Sequence, residues 1–396
     1  MRLMRRKTLI IGALVTILMA IVGLAGVGWY YSNVLRNDAL VVDHTPSEPD
    51  LKVVGITSDQ VTLRMTDKAE ADGPWTFDGI WGLEWDGGYA QVGAILQIND
   101  QEVIREFVPG TGDLSIGNLV RLDSFSFSGT PQVALGLDFD EVAYSSPLGT
   151  FPAWFIDGSH NTWAIFVHGR DAKREEALRM LHTVVELGFP SLVITYRNDE
   201  EAPASQDGLY QFGETEWRDL EAAAHYALDN GAEDIILVGY SMGGAIVTNF
   251  LYESPLAEQV HGAILDAPVL SFEAVIDYGA SQRGIPSSIT KLGKFIAGSR
   301  FDIDWDNRNL LSRVNELSVP ILLFHGELDK KVHIKTSSAL AEARPDLVTY
   351  VRVDDATHVR SWNMGPDDYN AAVGSFLRDL VQQSLPPPQL RRKDGR

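Results

Sequence analysis

The sequence predicts an α/β protein: a doubly wound, mostly parallel sheet, with a small N-terminal β-rich domain and an N-terminal transmembrane helix. Three observations predict it. From about Asp140, continuous apolar runs at 162–167, 191–196, 234–238, 262–265 and 319–324 alternate with segments of helical periodicity, the pattern of parallel strands buried on both faces. Before them lie short strand-like runs punctuated by turn residues. At the start, 24 residues from Thr8 to Tyr31 carry no charge.

As a helix, Thr8–Tyr31 measures roughly 36 Å, enough to cross a bilayer. Arg5-Arg6-Lys7 precede it, and Trp29, Tyr30 and Tyr31 close it with an aromatic belt. The basic flank predicts the N-terminus inside and the body outside the cytoplasm, with residues 1–31 as basic stub and anchor. A cleaved signal peptide ending near Gly23-Leu24-Ala25 is the rival, and its apolar region is long for that role. Either reading exports the body. Residues 32–50, with Asn33, Asn37, Asp38, Pro46 and Pro49, read as a polar linker.

Residues 51–135 read as a β-rich accessory domain. Its runs at 61–65, 91–98 and 124–127 are separated by Asn99-Asp100 and Pro109-Gly110. No motif in it carries chemistry. Trp75, Trp81 and Trp85 read as core before they read as a binding face.

The sheet domain is expected over 140–383. Trp217, Leu220, Ala224, Ala227 and Leu228 recur at helical spacing, and Tyr369, Val373, Phe376, Leu377, Leu380 and Val381 repeat the pattern. An insertion at 271–317, rich in Ile276, Tyr278, Phe295, Phe301 and Trp305, precedes the strand at Val319. Residues 384–396, with three consecutive prolines and a basic end, read as a disordered tail.

Composition narrows the chemistry. The formal net charge is −21 despite basic ends, so the body is acidic, which disfavours nucleic-acid binding. With no cysteine there is no disulfide, Cys nucleophile or Cys-ligated metal. The nine histidines supply no zinc spacing. No metal or organic cofactor is expected, and the oligomeric state is open.

Gly239-Tyr240-Ser241-Met242-Gly243 follows the apolar run Asp234–Val238 and precedes a helical segment. This places a serine hydroxyl on a sharp strand-to-helix turn, where a base can reach it and the next backbone N–H faces a developing oxyanion. A serine nucleophile needs a base, and the base an orienting acid. Asp329 follows the strand ending at Phe324, and His358 follows the run Val348–Val353. Asp266 is the rival acid. His325 and His333 come too early for the base, and His168 reads as structural. A second oxyanion donor is expected at Arg170 in His168-Gly169-Arg170, with Met242 supplying the first.

These residues resemble the α/β-hydrolase superfamily, in the group of monoacylglycerol-lipase-like esterases and prolyl-oligopeptidase-like serine peptidases. The resemblance rests on His168-Gly169, Gly239–Gly243, His325-Gly326-x-x-Asp329 and His358-x-x-x-Trp362, and leaves residues 32–135 unexplained. It implies nucleophile Ser241, acid Asp329, base His358, oxyanion amides of Arg170 and Met242, and a cap in the 271–317 insertion. The reading is a membrane-anchored serine hydrolase acting on a small-molecule or lipid-like ester. A peptidase is the runner-up. A surface binding protein working through residues 51–135 is the reading of another class.

Overall fold

The computed structural model describes residues 2–70 and 73–384. Helix α1 (Arg2–Leu35) is continuous over 34 residues, and its apolar side chains from Leu9 to Val22 stand exposed. A π-helical turn, Arg36–Leu40, follows. The first half of the segment read as a linker is fastened to the sheet domain. Leu35, Ala39 and Leu40 are buried in its core, Tyr210 N–H donates to Leu40 O at 2.9 Å, and Val41 bridges Leu209. The surrounding polar residues masked this short stripe, in which Leu35 and Ala39 share a face at i, i+4 and the π-helical turn brings Leu40 in beside them.

Strands β1 (Leu51–Ile56), β2 (Gln60–Met65), β3 (Trp81–Trp85), β4 (Gly88–Ile98), β5 (Glu102–Thr111) and β6 (Leu119–Asp123) form a closed barrel in the order β1-β2-β5-β4-β3-β6. Antiparallel pairing of Leu51 with Val120 closes it and removes both free edges. Val53, Val61, Leu63, Leu83, Val92 and Val120 fill the interior, together with the three tryptophans. Arg105 is buried there too, and its guanidinium donates to the carbonyls of Phe77, Gly79 and Gly93 at 2.8 Å. Burial pushes its pKa down to about 10, and these carbonyls offset the cost of enclosing the charge. The run 124–127, expected as a strand, is a turn. Ser126 takes φ 63°, which breaks the extended chain, and its hydroxyl donates to Ile80 O.

A short helix α2 (Pro131–Leu135), capped by Thr130, leads into the sheet. The strands are β7 (Asp140–Ser146), β8 (Gly149–Ile156), β9 (Thr162–Val167), β10 (Ser191–Ile194), β11 (Asp234–Tyr240), β12 (Val260–Asp266), β13 (Ile321–Gly326) and β14 (Val348–Val353). Their order is β14-β13-β12-β11-β9-β10-β8-β7. Pairing is parallel from β14 to β10 and antiparallel at β10–β8 and β8–β7. Helices α3 (Leu178–Glu186) and α10 (Pro366–Ser384) pack on one face, and α4 (Trp217–Asp229), α5 (Met242–Glu253) and α8 (Lys335–Ala343) on the other. A single-turn helix, α9 (Ser361–Met364), precedes α10. The tail expected at 384–396 lies, beyond Ser384, outside the described residues.

Between β12 and β13 the chain makes helices α6 (Phe272–Gln282) and α7 (Ser287–Phe301). The end of α1 packs on α7 closely enough that a Cβ at Gly28 would lie 2.4 Å from Ile296 Cδ1. The Arg300 guanidinium sits 3.4 Å from the centre of the Trp29 ring, and Arg283 pairs with Asp38.

Candidate active site

Ser241 is the hinge between β11 and α5, at φ 50° and ψ −112°. A side-chain-bearing residue at positive φ is strained, so its surroundings must hold it there. Ser241 N–H donates to Asp266 O at 2.9 Å, and its carbonyl accepts from Val269 N–H at 3.0 Å. The turn is so tight that a Cβ at Gly239 would lie 2.6 Å from Gly243 O, and one at Gly243 only 2.2 Å from Val167 O. Only glycine fits at either position.

His358 reaches this serine from the loop after β14. Its Nε2 lies 2.8 Å from Ser241 Oγ, and its Nδ1 lies 2.7 Å from Asp329 Oδ2. Asp329 follows β13 and is buried. Its Oδ1 accepts the N–H groups of Lys331 at 2.7 Å and Val332 at 2.9 Å. Burial alone would raise its pKa. The charge of His358 and hydrogen bonds from His325 and His358 outweigh that and hold the carboxylate well below its usual range.

His325, set aside as a base for its early position, lies against Asp329. Its Nε2 sits 3.2 Å from Asp329 Oδ2, and its Nδ1 sits 2.7 Å from Ser337 Oγ. The i, i+4 spacing of His325 and Asp329 was the sequence signal for this contact. Asp266, the rival acid, points elsewhere: it accepts from Ser361 Oγ at 3.1 Å and Tyr369 OH at 3.3 Å. Burial pushes its pKa up, with only partial relief from the Arg179 charge and the Ser361 hydroxyl.

The loop after β9 is fixed from several sides. His168 lies 2.9 Å from Asp199 Oδ2 and stacks on Tyr196. Burial pushes its pKa down, but the charge and hydrogen bond of Asp199 outweigh this and raise it. Tyr196 OH donates to Gly169 O at 2.8 Å, and Gly169 N–H donates to Glu176 Oε2 at 2.7 Å. Next along, the Arg170 backbone N–H has no acceptor among the described residues, nor has that of Met242 at the first position of α5. His333 packs against Tyr278 with the rings tilted by 54°, and no hydrogen bond among the described residues joins it to Ser241.

Ser241 and His358 open into a cavity of about 860 Å³ walled by four parts of the chain. Tyr31 and Leu35 come from α1, Trp81 and Arg121 from the barrel, Ile276 from α6 and Lys294 from α7. Sequence reasoning missed the walls that the barrel and α1 supply, because no local pattern records which distant segments meet. It also missed Arg179, which donates to Val359 O at 2.7 Å and Asn363 Oδ1 at 3.0 Å and so braces the loop bearing His358.

A family model described as a domain of unknown function (DUF8805) matches residues 52–123, the span of the barrel. No curated protein matches the chain. Among solved structures, it is similar to the Pyrococcus furiosus esterase Pf2001. In one crystal form the TM-score is 0.52 at 20% identity, covering 64% of this chain and 95% of that one. A second form gives 0.51 at 20% identity, covering 64% and 96%. The matched share is larger than α1 and the barrel together, so it takes in the sheet domain with its strand-to-helix turn. The sheet domain therefore has the α/β-hydrolase fold, to which the chain adds an N-terminal antiparallel barrel and a long apolar helix.

Proposed function

We propose that the protein is a membrane-anchored serine hydrolase whose catalytic domain lies outside the cytoplasm and cleaves a small-molecule or lipid-like ester. The observation that carries this is the unbroken chain Ser241 Oγ–His358 Nε2 and His358 Nδ1–Asp329 Oδ2, at 2.8 and 2.7 Å. In this reading Ser241 Oγ attacks the ester carbonyl as His358 Nε2 takes its proton. The oxyanion forms against the unengaged amides of Arg170 and Met242. His358 then protonates the leaving alkoxide, leaving an acyl group on Ser241. A water molecule, deprotonated by His358, releases the acid and restores the serine. Asp329 orients the imidazole and stabilises its charged form. The anchor reading is supported by Leu9–Leu40, long and apolar enough to cross a membrane, and by the basic residues before it.

An active-site fluorophosphonate probe tests the chemistry. The wild-type protein should label and Ser241→Ala should not; equal labelling of both sinks the reading. Protease added to intact spheroplasts tests the topology. The domain should be digested, and full protection until lysis would place it inside.

A further inference from the structure

The cavity wall beside His358 carries two cations without carboxylate partners. Arg360 NH1 donates to His358 O at 3.2 Å, its guanidinium carbon lies 5.4 Å from the centre of the Trp81 ring, and its Nε is buried with no hydrogen-bond partner. Lys331, two residues beyond Asp329, lines the same cavity. Neither Lys331 nor Arg360 makes an ion pair among the described residues.

The contrast with neighbouring cations is sharp. Arg121 pairs with Glu84, Arg170 with Asp171, Lys173 with Glu200, and Arg283 with Asp38. Lys294 holds both Glu273 and Asp277. The carboxylates whose charges reach the two cations are committed: Glu176 to the Gly169 N–H, Asp329 to His358 and Asp123 to the Tyr89 hydroxyl. In a chain of net charge −21, carboxylates were abundant, yet these two positions lack one.

Like charges held close together raise one another's free energy, and the arrangement is relieved when an anion enters. The strain is visible in both groups. Desolvation against the cavity wall, then the guanidiniums of Arg360 and Arg170, outweigh Asp329 and Glu176 and push the Lys331 pKa down, while the side chain keeps solvent access. Burial and the Arg179 guanidinium push Arg360 down to about 10, so it stays charged at neutral pH. A guanidinium and an ammonium on one wall form a receptor for a planar oxyanion.

We infer that the substrate carries a carboxylate, held by Lys331 and Arg360 beside the scissile ester. This rests on the serine-hydrolase reading and narrows its substrate class.

Two pairs of esters test it. In one the carboxylate is on the leaving group, 4-acetoxybenzoate against 4-acetoxybenzamide. In the other it is on the acyl group, the mono-4-nitrophenyl ester of terephthalic acid against its carbamoyl isostere. In at least one pair kcat/KM should favour the carboxylate tenfold or more. Lys331→Gln and Arg360→Gln should each bring the ratio toward one, through KM, while Arg360→Lys retains most of it. Added salt should shrink the preference as well. A ratio near one in both pairs, or a ratio that neither variant moves, overturns the proposal.

A readout independent of turnover separates this inference from the catalytic one. Ser241→Ala protein, titrated calorimetrically, should bind terephthalate more tightly than terephthalamide, and Lys331→Gln in that background should remove the difference. Terephthalate binding without hydrolysis of any ester would leave the anion site standing and remove the hydrolase reading. Equal binding of acid and amide would remove the anion site.

Discussion

Ile80 and Asn363 bond to each other twice: Asn363 Nδ2 donates to Ile80 O at 2.8 Å, and Ile80 N–H donates to Asn363 O at 2.9 Å. Ile80 leads into β3 of the barrel, and Asn363 stands five residues after His358. The barrel is thus bolted to the loop that carries the proposed base, and Asn363 Nδ2 also reaches Ser124 O at 3.0 Å and Ser126 Oγ at 2.9 Å.

The first prediction follows from that joint. Asn363 is fully buried, and Asn363→Ala removes its hydrogen bonds to Ile80 O, Ser124 O and Ser126 Oγ and the side-chain acceptor it offers Arg179. Stability should fall by about 3 kcal/mol, measured by urea unfolding, and kcat should fall more than KM rises because the His358 loop loosens. Unchanged unfolding and unchanged kcat would show the joint to be idle.

The choice of acid is tested by two asparagines. Asp329→Asn should lower kcat by roughly 10⁴, as expected when the imidazole loses its orienting carboxylate. Asp266→Asn, whose side chain faces Ser361 and Tyr369, should turn over within a fewfold of wild type. The reverse pattern in ester hydrolysis would move the acid to β12.

Stability should depend on pH through Asp329. Its folded pKa is depressed below the ordinary value of about 3.9, so the ionised form stabilises the fold. That contribution is complete above the ordinary value and is lost as pH falls through the folded pKa. The unfolding free-energy gap between wild type and Asp329→Asn should therefore not shrink from pH 8 to 5 and should narrow below about pH 4. A gap that closes between pH 8 and 6 contradicts the assignment.

The seating of α1 predicts a sharp truncation boundary. A chain beginning at Ser32 keeps Leu35, Ala39 and Leu40 in the core. One beginning at Asp43 loses them, and burial of the two leucines is worth roughly 3–6 kcal/mol. Thermal unfolding of the two proteins should differ by many degrees. Equal melting temperatures would mean that the segment is only a linker.

Much of the sheet was legible because its signals are local. Strands such as β9, β11 and β13 are buried on both faces, so each announces itself as an apolar run wherever it sits in the chain. The turn at Ser241 was legible for the same reason, since Gly239 and Gly243 are required by contacts within a few residues and with the adjacent strand end. The run 124–127 misled because alternation alone does not distinguish a strand from a turn broken at Ser126.

The sequence by itself determined the order of the elements, the apolar helix and the chain order Ser241, Asp329, His358. Each depends on residue type and short spacing. Only the tertiary structure decided that His325 backs Asp329, and that Lys331 and Arg360 line one cavity without an ion-pair partner among the described residues. It also decided that Trp81 of the barrel and Tyr31 of α1 line one cavity with Ser241. These are contacts between segments far apart in the chain, set by how the sheet, barrel and helix pack, and side-chain identity carries no record of the partner that packing brings to it.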